Sequence, residues 1–411
     1  MQVDRNLVSA KLVGEMLAST TSTKLNSTPE VGLHNFVKIR LLGLGTHGRV
    51  YLVKAKGLAL TGHFAMKVIS KSDSVRHDRV HRTMTEREVL AIADHPFIVK
   101  LYYAFQTKRF LYMVLQHCEG GHLHQTIRAQ THGFLPEHVA RFYAAEVLVV
   151  LEYLHMMGVL YDDLKPKNIL LRSNGHIVLC DFDSSSMVNP MERGATASPP
   201  GRRRRRRPWD CLARCLNGCW NNHNHVSPLD TIMPISFHSF PSSAPQRKSL
   251  ATVEYAAPEA LASPSHVVVP ASDWWAFGVL LYQMLFAKTP FQGDNDEDTR
   301  QNILHDDLVL PYTPTVSPAC RDLLFLLLDK NVRTRLKSNG AIKAHPFFQS
   351  IDWNRIQDQT PPLIPKAQPL APALKDQLED PPCACDLVAP DDQRFDAFNF
   401  TWRRTTGDFI S

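Results

Sequence analysis

Tyr161-Asp162-Asp163-Leu164-Lys165-Pro166-Lys167-Asn168, followed after a short hairpin by Asp181-Phe182-Asp183, is the stretch on which the reading of this 411-residue chain turns. Beyond it, in order, come Val253-Glu254-Tyr255-Ala256-Ala257-Pro258-Glu259 and Asp273-Trp274-Trp275. Chance does not readily assemble D-L-K-P-x-N, then D-F, then these two strings in one order. The rest of the chain is therefore read outward from residues 161–183.

Upstream, Gly43-Leu44-Gly45-Thr46-His47-Gly48-Arg49-Val50 lies between two strand-like runs. Without a Cβ in the way, the backbone of such a turn can approach a polyphosphate. Alone the motif is ambiguous, since a G-x-G-x-x-G string also marks a dinucleotide fingerprint or a simple turn. Here a strand and not a helix follows it, which argues against the dinucleotide reading. Nineteen residues after Gly48 comes Lys67 in a strand, and Glu86 follows in a helical stretch. Singly, a strand lysine and a helix glutamate could form any surface ion pair. The order of Gly-rich loop, strand Lys and helix Glu is also what a kinase needs to hold the α- and β-phosphates and to sense the helix position.

The text around these motifs changes character along the chain. Residues 1–34 are Ser/Thr-rich with little periodicity and read as a leader. From Phe36, strand-length apolar pieces separated by Gly-containing turns suggest an antiparallel sheet, with helical spacing over residues 78–93. From residue 136 the apolar period becomes that of helices: Phe142, Val147, Leu151 and Leu154 fall three to five residues apart. Residues 184–250 stand out as an insertion rich in Pro, Ser and Arg, far longer than ordinary connections. They hold ten Lys/Arg against three Asp/Glu, so the rest of this +6 chain sums to −1 and the basicity is local.

The 44% apolar and 21% charged composition is that of a globular protein. Eight cysteines are too sparse for a disulfide scaffold, which points to a reducing, intracellular setting. No signal-peptide pattern opens the sequence and no run approaches 18 apolar residues, so a soluble or peripheral protein is expected.

Residues 161–168 and 181–183 resemble the catalytic loop HRDLKxxN and the metal motif DFG of protein kinases. The resemblance implies that Asp163 accepts the hydroxyl proton and Lys165 steadies the γ-phosphate. It implies further that Asn168 and Asp181 hold Mg²⁺, and that ATP is bound by Leu42, Gly43, Leu44, Gly45, Thr46, His47, Gly48, Arg49 and Val50 with Lys67 and Glu86. Phosphoryl transfer asks little covalent chemistry of the protein, so positioned charge is the mechanism. Glu259 resembles the glutamate of the APE motif, with Arg335 of V-R-T-R-L as its buried partner.

Residues 95–105, 141–147, 272–291 and 344–353, with P-P-L-I-P at 361–365, narrow the resemblance to the AGC group of serine/threonine kinases. The D-F-D motif and the long insertion resemble the phototropin-related branch of plants. The fold implied is α+β and bilobal, with a five-stranded antiparallel N-lobe carrying one helix, a mainly helical C-lobe and a hinge near residues 116–119. Boundaries follow: leader 1–35; kinase domain 36–348, split into N-lobe 36–118 and C-lobe 119–348 with the insertion 184–250; tail 349–411. Protein substrates and a monomer are expected, and nucleic acid is not.

Several positions depart from the family pattern. Asp162 replaces the arginine that normally receives the activation-loop phosphate, and Lys248 stands where the phospho-acceptor usually lies. Either Lys248 and Asp162 form a permanent, charge-swapped clamp, or Ser249 takes the phosphate and Asp162 weakens its capture. His122 and Lys167 replace two glutamates that recognise basic substrates, so a reduced preference for basic peptides is expected; neutral drift is the alternative. Ala251 and Asp183 replace glycines, which could slow switching of the segment. A nucleotide-binding scaffold without turnover is the rival to an active kinase.

Arg202 to Arg207 form an uninterrupted run with Trp209, Cys211, Cys215 and Cys219 behind it. An anionic membrane surface, a nuclear-import patch, and zinc binding by the cysteines with His223 and His225 are the competing readings. Cytoplasm or peripheral plasma membrane is expected, with the nucleus as alternative. Phe395, Phe398 and Phe400 resemble the AGC hydrophobic motif, with Asn399 at its phosphorylatable position. Phe395 and Phe398 are expected to dock beside the Glu86 helix; packing over the ATP site and a simple apolar contact are the alternatives.

Overall fold

Alternation of side chains along the first strands sorts the N-terminal lobe into two apolar faces. The computed structural model describes residues 31–45, 48–58, 60–187, 253–262, 269–365 and 393–401. Strands β1 (Phe36–Gly45), β2 (Gly48–Ala55), β3 (His63–Ser70), β4 (Leu101–Gln106) and β5 (Phe110–Gln116) form an antiparallel sheet in the order β1-β2-β3-β5-β4. On β5, Tyr112 and Val114 join Phe36, Tyr51, Met66 and Phe105 on one face. Leu111, Met113 and Leu115 enter the main core on the other. Phe36 stacks on Phe105 (5.9 Å between ring centres) and Phe105 on Tyr112 (5.0 Å).

Two features correct the expected lobe of five strands and one helix. A sixth strand, Phe400–Thr401 from the tail, pairs antiparallel with β4, Phe400 opposite Ala104 and Thr401 opposite Tyr103. The lobe also carries two helices, α1 (Lys71–Arg76) and α2 (Val80–Ile92). Ser70, the last residue of β3, caps α1 by accepting from the Asp73 amide at 3.2 Å, so the chain turns straight from strand into helix. Six residues are too few for a helical period to be read from sequence.

After β5 the chain passes through residues 117–122 into α3 (Leu123–Arg128) and α4 (Glu137–Met156). Val139, Tyr143, Val147, Leu151 and Leu154 are buried at helical spacing along α4. Two short hairpin-like pairings follow, β6 (Val159–Leu160) with β9 (Ser186–Met187), and β7 (Ile169–Leu171) with β8 (Ile177–Leu179). Helices α5 (Pro258–Ala262), α6 (Pro270–Phe286), α7 (Asp296–His305), α8 (Pro318–Leu327) and α9 (Asn339–Lys343) complete the C-lobe. Almost every residue of α6 is buried, so α6 is its central rod and packs on α4 and α8. Gly278 permits that approach, because a Cβ there would lie 2.9 Å from Leu327 Cβ. Among the described residues no helix is long and apolar enough to cross a membrane.

Glu259, on α5, meets Arg335 in a bidentate pair with both N–O distances at 2.8 Å. The arginine is wholly buried, donates also to the Asp329 carbonyl (2.8 Å) and lies over the Trp275 ring. Removing one partner of a buried pair strands the other charge, which costs more than the pair is worth against an apolar replacement. Glu259→Ala should therefore lower stability by about 3 kcal/mol, read as a shift of the urea midpoint. An unchanged midpoint would show that the pair does not hold α5 in place.

Candidate active site

The Gly-rich motif is the β1–β2 hairpin: Gly43 pairs with Val50, Leu44 with Arg49 and Gly45 with Gly48, while Leu42 sits at a register shift in β1. Thr46 and His47 lie outside the described residues. Gly48 has φ +152°, and a Cβ there would meet the Val68 carbonyl oxygen at 2.2 Å, so only glycine lets the hairpin lie on β3. Gly43 has nothing within 4 Å of where a Cβ would stand, so packing does not demand a glycine there. A cavity of about 230 Å³ lies between the hairpin and α2, lined in part by Leu44, Gly45, Gly48, Arg49, Glu86 and Asp183.

Across β2–β3, Val50 pairs with Lys67. The Lys67 ammonium donates to both Glu86 carboxylate oxygens at 2.8 Å and to Asp181 Oδ1 at 2.9 Å. Sheet, α2 and the loop after β8 thus converge on one nitrogen. Facing this triple is a second cluster. Lys165 Nζ donates to both Asp163 oxygens at 2.8 Å, and Asn168 Nδ2 to the Asp163 carbonyl (2.9 Å) and Oδ2 (2.7 Å). Asn168 has spent its amide nitrogen there, leaving its oxygen as the atom available to a cation.

The loop carrying Asp163 is held from below by Asp273, on α6, which is buried. It accepts from the backbone N–H of Tyr161 (3.0 Å) and Asp162 (2.8 Å) and meets His155 Nε2 at 2.7 Å. Asp162 and Asp181 both adopt left-handed backbone, φ +60° and +61°. Strained turns of this kind persist where the surroundings over-determine them. In the D-F-D motif it is therefore Asp181, not Asp183, that needs the unusual conformation. Asp273 was visible in the sequence as a motif marker, but its role was not, because the contact spans 111 residues.

The protein kinase domain model matches residues 36–199 and 238–348. The chain belongs to the protein kinase family. Serine/threonine-protein kinase ppk22 of Schizosaccharomyces pombe is 39% identical over 364 residues, 86% of this chain and 63% of that one. Phototropin-2 of rice (Oryza sativa subsp. japonica) is 39% identical over 342 residues, 82% of this chain and 35% of that one. Serine/threonine-protein kinase AGC1-5 of Arabidopsis thaliana is 37% identical over 365 residues, 84% and 62% respectively. Within the family the kinase sits in the AGC group. It spans roughly a third to two thirds of the length of these three relatives.

Charge in the kinase site is set by burial and neighbours. Burial pushes the Asp163 carboxyl up, opposed by Lys165 and Asn168. Burial alone would lower Lys67, but Asp181, Glu86 and Asp183 outweigh it and hold its ammonium well above the usual range. Burial raises Glu86 to about 7, against the pull of Lys67 and with a push from Asp181 and Asp183. A native acid that ionises later than its unfolded counterpart binds more protons between about 4.5 and 7, so stability from this group falls as pH rises through that window. The stability of the nucleotide-free protein relative to Glu86→Gln should decline from pH 4.5 to 7, measured by urea midpoints. A rise instead would mean that Glu86 is ionised in the native state throughout.

Proposed function

We propose that this kinase transfers the γ-phosphate of ATP to serine and threonine hydroxyls of protein substrates, using Mg²⁺. The observation that carries the reading is the assembled pairing of two constellations, Lys67 with Glu86 and Asp181 on one side and Asp163 with Lys165 and Asn168 on the other. Lys67, pinned by Glu86, would grip the α- and β-phosphates beneath the Gly43–Val50 hairpin. Asp163, oriented by Asn168, is placed to accept the hydroxyl proton, and Lys165 to steady the transferring phosphoryl group. Asp181 and Asn168 supply the hard oxygen donors that Mg²⁺ takes, and the bound ion would neutralise charge on the β- and γ-phosphates. Lys67→Met and Asp181→Asn should each cut phosphotransfer by at least about 100-fold. Full activity in both variants would overturn the catalytic reading.

Control and substrate choice differ from the common AGC arrangement in this reading. Phe395 and Phe398 are fully buried, and Gln106 donates to the Phe395 carbonyl at 2.9 Å. Arg87, next to Glu86 on α2, donates to the carbonyls of Phe398 (3.1 Å) and Asn399 (2.8 Å). Backbone carbonyls, not a phosphate, occupy that guanidinium, and Asn399 has no hydroxyl to phosphorylate. We infer that the tail supports the Lys67–Glu86 pair without modification. Phe398→Ala should lower kcat about tenfold, a coupling of ordinary size; unchanged kcat would remove the tail from the mechanism.

Asp162 stands in place of an arginine, so activation-loop control is proposed to be altered; Lys248, Ser249 and Ala251 lie outside the described residues. His122 and Lys167 in place of glutamates support reduced preference for basic peptides. Arg202–Arg207 and Cys211, Cys215 and Cys219 also lie outside the described residues. From sequence alone, the arginine run supports a peripheral association with anionic membrane, at about 1 kcal/mol per arginine.

A further inference from the structure

His122 and Lys167, 45 residues apart in sequence, touch: His122 Nδ1 lies 2.6 Å from the Lys167 carbonyl oxygen. A carbonyl can only accept, so Nδ1 carries the hydrogen, and Nε2 is the second ring position, a further donor once the imidazole is protonated. Both side chains are exposed. Helix α3, which begins after His122, packs on the turn Pro166–Asn168 that carries Lys167, and an isolated bridge joins His122 to Leu170. On α3, His124 and Arg128 are four residues apart and share a face. Burial lowers the His124 pKa, and the charged groups acting on it are Lys167, Arg128 and His122, all basic. Four basic groups from two elements therefore converge, and among the described residues no ion pair reaches Lys167 or Arg128. Lys167 and Arg128 carry like charges that repel one another until an anion is added, and the imidazoles beside them supply further N–H groups.

The position of this cluster gives it a use. Lys167 is the immediate neighbour of Asn168, whose amide holds Asp163. A peptide that presents its hydroxyl to Asp163 brings residues a few positions from the acceptor past Lys167.

We propose that His122, His124, Arg128 and Lys167 form a substrate subsite for an anionic side chain, a carboxylate or a phosphate, borne by the peptide within a few residues of the phosphorylated hydroxyl. The proposal rests on the kinase reading above and adds a positive selection to the loss of a basic one. Lysine and arginine give charge-assisted bonds to either anion, and arginine can bind a phosphate bidentately.

The test is a positional library of serine peptides with Glu, phosphoserine, Ala or Arg at each of the four positions on either side of the acceptor, phosphorylated with Mg·ATP. Selection of Glu or phosphoserine by about tenfold in kcat/KM, carried by KM, is expected at one or two positions. The Glu and phosphoserine arms tell a carboxylate site from a phosphate site. In Lys167→Glu/Arg128→Glu, anionic selection should vanish and Arg become favoured, whereas Lys167→Arg should keep the wild-type pattern. Arginine preference or flat selection by the wild type, or an equal loss on every peptide in the charge-reversed variant, overturns the subsite. If no peptide is phosphorylated, the kinase reading itself falls. The subsite is then decided by fluorescence anisotropy of the same labelled peptides, tighter binding of the anionic set supporting it and equal binding rejecting it.

Discussion

One ammonium group, Lys67 Nζ, ties together three elements: β3, helix α2 through Glu86, and the loop after β8 through Asp181. The two lobes are built by different rules, one from a two-faced sheet and the other around the buried α6, and this junction joins a strand and helix of the first to a loop of the second. A buried ion pair is a poor source of stability, since desolvating two charges offsets most of their attraction. Its value lies in being conditional. If α2 shifts, Glu86 no longer reaches Lys67, and the lysine loses its orientation without the fold being lost.

That conditionality explains why so much structure converges on α2. The residue after Glu86, Arg87, is held by the tail's carbonyls, and Phe395 and Phe398 are buried beside it. Phe400 then extends the sheet on β4. A segment more than 300 positions further along the chain thereby contacts the helix turn that carries Glu86, the partner of Lys67. The opposite wall is tied to the central helix. Asp273, fixed in the central helix, takes two backbone N–H groups of the catalytic loop, while Arg335 and Glu259 hold α5 against the same helix. The site thus sets a loop with Asp163, tied to the central helix, against a helix with Glu86, tied to the tail.

How much of this could be read from the sequence depends on how local the signal is. The Gly-rich hairpin, Lys67, Glu86, Asp163 and Asp181 were legible because short motifs in a fixed order carry them. The Glu259–Arg335 pair was legible only through family resemblance. Helix α1 was not, since a six-residue helix has no readable period and its start depends on the Ser70 cap. The tail strand was not, because two residues have no alternation and their partner, β4, lies some 300 residues away. The load on Asp273 was hidden for the same reason: the residue is visible, but the backbone groups it satisfies come from a distant loop. Left-handed backbone at Asp181 was not legible either, since composition does not reveal it.

The substitutions fall on one side of the molecule's logic. Every group given a role in the proposed mechanism has the ordinary identity of its motif, and Lys67, Asp163, Lys165 and Asn168 are each held by two or more hydrogen bonds. The altered positions, Asp162, His122, Lys167 and Asn399, sit one step outward, where a kinase reads a phosphate or a peptide. Asp162 gives its backbone N–H to the Asp273 support beneath the loop, and that tie is made whatever side chain stands at 162. Lys167 likewise contributes its carbonyl to His122 while its side chain faces solvent. In both cases a tie to the rest of the site is made by the backbone, which does not depend on the identity of the side chain. On the proposed reading, this division would let recognition of a peptide or phosphate be inverted in sign while the ties on the neighbouring Asp163 and Asn168 stay intact.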